Sequence, residues 1–457
     1  MSISSSLYTS MSGLFCLGDK IGTLGDNIAN INTTGFRANE VNFEDILFET
    51  THTGGVRFDG EGVTSDFSKE GSVQSSHIAT HMAISGDGFF ILRDQEETDS
   101  TYYSRAGEFN FNSEGYLLNP NGYIVQGYQF SSEGTEGTAL ADIQLELTAP
   151  APTPENPDPA PRLVSSPSAS TRLTLITNVD ARSQDNSPGG LFSNYDGTNA
   201  SPLDLTDYEL RSDQDLYDSF GDRYPIAVYY DKISQDGVWE YLITSPSDIP
   251  GTATDDGVLA RGTITYNGNG IIEDMTLENY QGAGWVNSAI NDNGFYTFQT
   301  PFAGAGAMEF DIGSRYVNGS WQPAAQSSTQ YGCSSYTIFS KTDGYGEGDL
   351  LNFSVSMDGI IRASFDNGVI SDLFRVGLAN VSTPSSHLRR IGHTFFQAID
   401  PDSQDLITED IPGSSGLGMI IGSSLESSNV DMAEQFGDLI LTQRAFQANS
   451  KGIVTAD

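Results

Sequence analysis

Leu7, Leu14, Ile21 and Ile28 recur every seven residues at the start of the chain, and Leu17, Leu24 and Ile31 fill the complementary positions. Such a stripe predicts a coiled-coil-like helical seam. The same stretch carries Gly13, Gly18, Gly22 and Gly25, each costing about 1 kcal/mol relative to Ala inside a helix. A helix so diluted is marginal alone and makes sense where helices approach one another closely in an assembly. The far end repeats the pattern. Met432, Leu439, Phe446 and Ile453 are seven apart, with Phe436 on the same side. Ser428 or Asn429 can cap this second helix, while Asp431 and Glu434 face the positive end of its dipole. Two seams at opposite ends of one chain are most simply satisfied by packing the termini together and nesting the rest between them.

That interior reads as β. Gly numbers 49, aromatics make up 11% of the chain, and Asn-Gly, Asp-Gly and Ser-Gly pairs are frequent, which favours short strands joined by tight turns. "GDGFFILRD" and "YYSRAGEFNFNSEGYLLNPNGYIVQGYQF" alternate apolar and polar residues between glycine turns, and Gln235, Asp236 and Gly237 join two aromatic-rich strands in "VYYDKISQDGVWEYLITS". At 457 residues two or three domains are expected. The fold class is therefore mainly β with α-helical termini, the β domains inserted between helices that pack as a coiled-coil-like layer. Residues 1–32 form the N-terminal helix of an inner-layer domain shared with 424–457, and 33–70 form an extended connecting arm. Residues 71–147 and 335–423 make a β domain, and 163–334 make an outer inserted one. Between them "TAPAPTPENPDPAPR", residues 148–162, is too rich in proline for a central strand and reads as an extended connector or surface loop.

Several function classes recede on composition. Lys and Arg total 21 against 61 Asp and Glu, a formal net charge of −40, which disfavours nucleic acid and anionic lipid as partners. No apolar run approaches the ~18 residues that would cross a bilayer, so no membrane insertion is expected. The first positive side chain is Lys20, too late for a cleavable secretory signal. Cys16 and Cys333 lie far apart and read as unpaired packing residues. His77 and His81 have helical ligand spacing in a stretch that does not read as helix, and "DGYGEGD" at 343–349 matches no calcium-loop spacing and reads as a glycine turn. No nucleophile elbow, phosphate loop or dinucleotide fingerprint occurs. The chain is read as a non-enzyme without metal or cofactor.

"LGDNIANINTTGFRANEVNFEDILF" resembles the N-terminal signature of the bacterial flagellar rod and hook family. "ISGDGFFIL" with "YSRAGEFNFNSEGYLLNPNGYIVQGY" is similar to the family's central β motif, "LANVSTPSSHLRRIGHTFF" to the segment before the C-terminal arm, and "GSSLESSNVDMAEQFGDLILTQRAFQANSKGIVTAD" to the C-terminal helix. In the middle, "TLITNVDA" and "VYYDKISQDGVWEY" are similar to segments of the family's hook members. Its rod members lack a large middle insertion. The resemblance therefore implies a structural subunit of the flagellar hook, self-assembling into a hollow helical tube that works as a universal joint between rod and filament. It implies extracellular placement after export by the flagellar type III apparatus without a cleavable signal, and contacts with rod, hook cap and hook-filament junction proteins. It also implies further helical turns beyond Asp457 in relatives. The alternatives are a distal rod subunit of the same family and a secreted β-rich adhesin or carbohydrate-binding protein. On this reading Asn30 and Asn32 satisfy the last carbonyls of the first helix, and Gly35 takes positive φ to turn the chain outward. Thr34 completes a rigid exit that aims residues 36–70 along neighbouring subunits. The self-assembly residues are then Leu7, Leu14, Ile21, Leu24, Ile28, Asn30, Asn32, Thr34, Gly35, Met432, Phe436, Leu439, Phe446 and Ile453.

Overall fold

The structure is a computed structural model that describes residues 3–48, 53–95, 100–131, 134–149, 160–197, 199, 201–245, 257–281, 284–300, 306–399 and 407–456, with side chains left undescribed at 3–8, 46–48, 53–55, 58–61 and 456. It is mainly β, with long helices at both ends: α1 (Ile3–Ala29), the single turns α2 (Leu191–Asn194) and α3 (Pro384–His387), and α4 (Met432–Ala456). The chain divides into two units, Met1–Val164 with Asp349–Asp457, and Ser165–Gly348.

In the first unit α1 packs along α4. The arm that follows α1 does not run out as a single extended stretch. It doubles back as an antiparallel hairpin of β1 (Asn39–Phe48) and β2 (Thr53–Ser65), in register from Asn39 opposite Ser65 to Phe48 opposite Thr53, with a bulge between Val41 and Phe43. The hairpin lies against α1: the Ser12 hydroxyl accepts from the Val56 N–H at 3.2 Å, and the Cys16 thiol points at the Val56 carbonyl at 3.6 Å. Burial therefore keeps Cys16 inside, with its thiol pKa pushed up by desolvation and by Asp19.

The β part of this unit is built on a run with no polar alternation. β3 (Val73–Ser75) pairs with Ser424–Glu426 and β4 (Met82–Ser85) with Met419–Gly422, so the outgoing and returning chain zip together. Next comes β5 (Phe89–Arg93), antiparallel to β6 (Thr101–Ser104). Phe89 and Ile91 face one apolar cluster with Tyr103 and Phe396, whereas Phe90 and Leu92 face another with Met82, Phe109 and Ile361. Both faces are covered, so period-two alternation separates two cores here instead of core from solvent. Gly86 and Gly88, at φ 105° and 128°, make the turn that leads into it.

The second unit hangs from strand Arg172–Asp180. It pairs parallel with Ala307–Asp311 and Thr329–Tyr331, and antiparallel with Tyr336–Thr342. The last pairing corrects the expected boundary at 335, because strand 336–342 belongs to the inserted unit and the chain re-enters the first unit at Asp349. A meander of Leu210–Tyr217, Arg223–Lys232, Val238–Thr244 and Val258–Tyr266 forms the second sheet. Gly237, at φ 77°, closes the turn expected there. Trp239, Tyr230, Tyr241, Phe298 and Phe310 fill the core.

The proline-rich residues 150–159 lie outside the described residues, but the ends of their stretch do not. Thr148 and Arg162 exchange both backbone hydrogen bonds, at 2.8 and 2.9 Å, so the stretch starts and finishes at one place. The "DGYGEGD" turn has a structural task as well: the Asp343 carboxylate accepts from the Thr171 N–H at 2.8 Å and the Arg172 N–H at 2.9 Å. His81 is buried with Nδ1 2.9 Å from the Ser76 hydroxyl, and burial lowers its pKa against the opposing pull of Glu108. Cys333 is exposed rather than packed, and its sulfur lies 3.2 Å from the Asn178 amide.

Candidate functional site

The helical layer and the joint that carries it form the candidate site. Along the helices, a methyl group at Gly13 would come within 2.9 Å of the Asn449 amide, and one at Gly452 within 3.2 Å of the Ser10 hydroxyl. These two glycines set the approach of α1 to α4, and a methyl group at Gly18 would lie 4.0 Å from the Phe446 ring. Gly22, Gly25 and Gly437 meet nothing within 4 Å. Of the stripe expected on α1, Leu24 is buried, while Leu14, Ile21 and Ile28 are half-buried; the side chain of Leu7 lies outside the described residues. On α4, Leu439, Phe446 and Ile453 are half-buried, whereas Met432 and Phe436 are exposed, the latter at 45%. Phe15 on α1 and Leu441 on α4 are exposed at 66% and 64%. The pair thus leaves apolar side chains on view that one copy does not cover.

At the C-terminal end of α1 the amides divide the work unequally. Asn30 donates its side-chain amide to the Asp26 carbonyl at 2.9 Å, closing the helix as expected, and Thr33 donates to the Asn30 side-chain oxygen at 3.1 Å. Asn32 is exposed and makes no hydrogen bond among the described residues, so it caps nothing. Thr34 ties the exit to the β domain by donating to Glu108 at 2.6 Å. Gly35 sits at φ 66°, and a methyl group there would lie 2.4 Å from the Ala106 nitrogen. Only glycine meets both demands. Asn27, which was not among the expected site residues, does more than any of these. Fully buried, it donates to the Asn39 carbonyl at 2.8 Å and to Gln435 of α4 at 3.0 Å, and it accepts from the Asn39 N–H at 2.8 Å. One side chain joins α1, the hairpin arm and α4.

Beside it lies a knot of buried charge that sequence reasoning missed. Glu426, 1% exposed, accepts from Arg37 at 2.8 Å and from the Gly71 N–H at 2.9 Å, and Arg105 approaches its other oxygen at 3.5 Å. Arg37 also donates to the Lys69 carbonyl at 2.7 Å, and Arg105 to the Gly86 carbonyl at 2.8 Å. Burial and the neighbouring Arg37 pull the Arg105 pKa down, with Glu426 opposing. Asn429 completes the joint: it accepts from the Ala38 N–H at 2.6 Å and donates to the Asp66 and Lys69 carbonyls, both at 3.1 Å. It is therefore not the helix cap. Asp431 is, accepting from the Ala433 and Glu434 N–H groups at 2.8 and 3.2 Å. The available signal was scarcity, since an arginine directly behind "TTGF" stands out in a chain so poor in basic residues.

These contacts tie α1, the hairpin arm and the start of α4 into one joint. Among the described residues no group of three or more His, Cys, Asp or Glu could hold a metal ion, and no described helix is long and apolar enough to cross a membrane.

The chain matches four family models in order: "Flagella basal body rod protein" at 7–37, "Flagellar hook protein FlgE/F/G D1 domain" at 83–153, "Flagellar basal body protein FlaE D2 domain" at 178–345, and "Flagellar basal body rod FlgEFG protein C-terminal" at 422–457. It is 29% identical over 469 residues to the flagellar hook protein FlgE of Borreliella burgdorferi, covering 99% of this chain and 97% of that one. The hook proteins of Treponema pallidum and Salmonella typhimurium are 27% and 26% identical, with the same coverage of both chains. A solved Helicobacter pylori hook protein, FlgE2, aligns over 78% of this chain and all of that one, with TM-score 0.47 and 14% identity. The β interior, the paired terminal helices and the ordered run of matches agree, and the chain belongs to the flagellar hook protein family.

Proposed function

We propose that this chain is the structural subunit of the bacterial flagellar hook, which self-assembles into a hollow helical tube and transmits motor torque from rod to filament as a universal joint. The observation that carries this is the helical layer: α1 and α4 pack on each other yet leave Phe15, Phe436 and Leu441 exposed. Further copies would cover them, coupling the ordering of marginal helices to assembly. The β units would form the outer layers. Their acidic surfaces suit contacts that slide, because like charges limit adhesion and polar interfaces of modest area do not lock. Rod, hook cap and hook-filament junction proteins would be met at the tube's ends, and the type III apparatus would export the chain unfolded. The distal rod alternative fits less well, since the inserted unit at Ser165–Gly348 lies where the rod members lack a large insertion, and nothing in the comparisons favours an adhesin.

Negative-stain microscopy of the purified full chain, concentrated in high salt, tests the reading. Hollow helical tubes are expected. A chain that stays monomeric with α1 and α4 folded and resistant to proteolysis would refute it.

A further inference from the structure

The largest sheet of the first unit ends on strand Leu388–Gly392, which pairs only with Phe395–Ala398 among the described residues. An unpaired strand edge offers a row of backbone donors and acceptors to another chain. Burial along it alternates. Leu388 is buried, and Arg390 turns inward, where it lies over the Phe36 ring at 4.8 Å and bonds Asp26 at 2.9 Å. Arg389 and Ile391 point outward and are exposed.

Arg389 is unusual for this protein. Most arginines of the chain are held by a carboxylate, including Arg172, Arg211, Arg261, Arg362 and Arg375 on other strands. Arg389 has no acidic partner among the described residues, and its polar contact is a long one, 3.4 Å to Gln397. With acidic residues outnumbering basic ones by 61 to 21, an unpaired cation on a sheet edge is the complement of most of the surface the same chain presents elsewhere.

We infer that the edge strand Leu388–Gly392 is a docking surface for an acidic segment of a second copy of this chain, with Arg389 pairing a carboxylate of the neighbour and Ile391 packing beside it. This rests on the self-assembly reading above. It adds a charge-steered contact to the helical layer, one that sets which neighbour is met and weakens with salt.

The experiment uses the full chain with Arg389→Lys, mixed from isotope-labelled and unlabelled batches, assembled and treated with a carbodiimide. The reagent condenses an amine with a touching carboxylate, taking up the water as a urea, and mass spectrometry reads which peptides are joined. The expected product is an amide between the position-389 peptide and an Asp- or Glu-containing peptide of the differently labelled copy. In parallel, Arg389→Glu should raise the critical concentration for tube formation at least about fivefold, the effect of losing roughly one kcal/mol of contact, while the isolated subunit keeps its circular dichroism. Tubes in which the position-389 peptide is unlinked, or linked only within its own copy, overturn the docking surface and leave self-assembly standing. Failure of the unsubstituted chain to form tubes overturns both.

Discussion

Glu426→Gln tests whether the buried knot is a local joint. The carboxylate is 1% exposed and receives Arg37 at 2.8 Å, the Gly71 N–H at 2.9 Å and Arg105 at 3.5 Å. The amide keeps the shape but removes the one negative charge in contact with both guanidinium groups, and its NH2 end is set against a donor. Breaking one side of a buried ion pair costs about 3–5 kcal/mol. For a folding unit of this size each kcal/mol moves the melting temperature by about 2 °C, so a fall of roughly 6–10 °C is expected. The protein supplies its own reporter. All three tryptophans, Trp239, Trp285 and Trp321, lie in the Ser165–Gly348 unit. Tryptophan emission therefore follows that unit alone, while far-ultraviolet circular dichroism follows both. The substitution should lower a transition seen by circular dichroism and leave the tryptophan transition where it was. A change below about 2 °C would show that the two arginines do not depend on Glu426. An equal shift in both signals would show that the joint is not local.

Three other expectations bear on separate links in the argument. Gly35→Ala meets the Ala106 backbone at 2.4 Å while holding φ at 66°; it should destabilise the first unit by about 2–4 kcal/mol, measured by urea unfolding followed with circular dichroism. Leu14→Asp or Phe446→Asp should abolish tube formation under the microscope while near-ultraviolet circular dichroism of the β units stays unchanged; loss of that signal would refute the division between helical layer and β core. In the second unit Asp231 and Glu240 face each other across neighbouring strands and both contact the Ser187 hydroxyl, at 2.7 and 3.1 Å. Burial raises both pKa values in the folded state. Stability contributed by a raised carboxyl pKa is fully present below the unfolded value and is lost as pH climbs through the folded one. The tryptophan-reported melting temperature should thus fall as pH rises from about 4, and Glu240→Gln should flatten the slope. An unchanged slope would show that the pair is not its source.

How far the fold could be read in advance depended on whether the signal was local. The terminal helices, the turn at Gly237 and the positive φ of Gly35 are written within a few residues, and they appear in the structure where the sequence places them, although Met432 and Phe436 of the expected stripe are exposed. The hairpin arm was misread as a single extended stretch because the sequence between its strands, 49–52, carries no Asn-Gly or Asp-Gly signal. The boundary at 335 failed because strand Tyr336–Thr342 is claimed by Arg172–Asp180, more than 150 residues away in the chain. The charge knot was invisible for the same reason: Arg37 and Glu426 meet only once the two halves of the chain have zipped together. Asn429 illustrates the limit within a single residue. Its type suits a helix cap, yet the hairpin arm offers it better partners and Asp431 takes the cap instead.

The pinched ends of the proline-rich stretch have a consequence for how this chain tolerates change. Thr148 and Arg162 hold each other by two backbone bonds, and farther along Ser168 and Tyr345 do the same at 2.9 and 3.0 Å, close to both ends of the second unit. Each pair is a clasp. Whatever lies between can lengthen, shorten or be exchanged while the chain leaves and re-enters at fixed points, and doubling a flexible loop adds only about 0.6 kcal/mol of closure entropy. The same clasp gives the bench a port: a fluorescent label or epitope spliced into the sequence between 150 and 159 should leave the Thr148–Arg162 backbone pair intact.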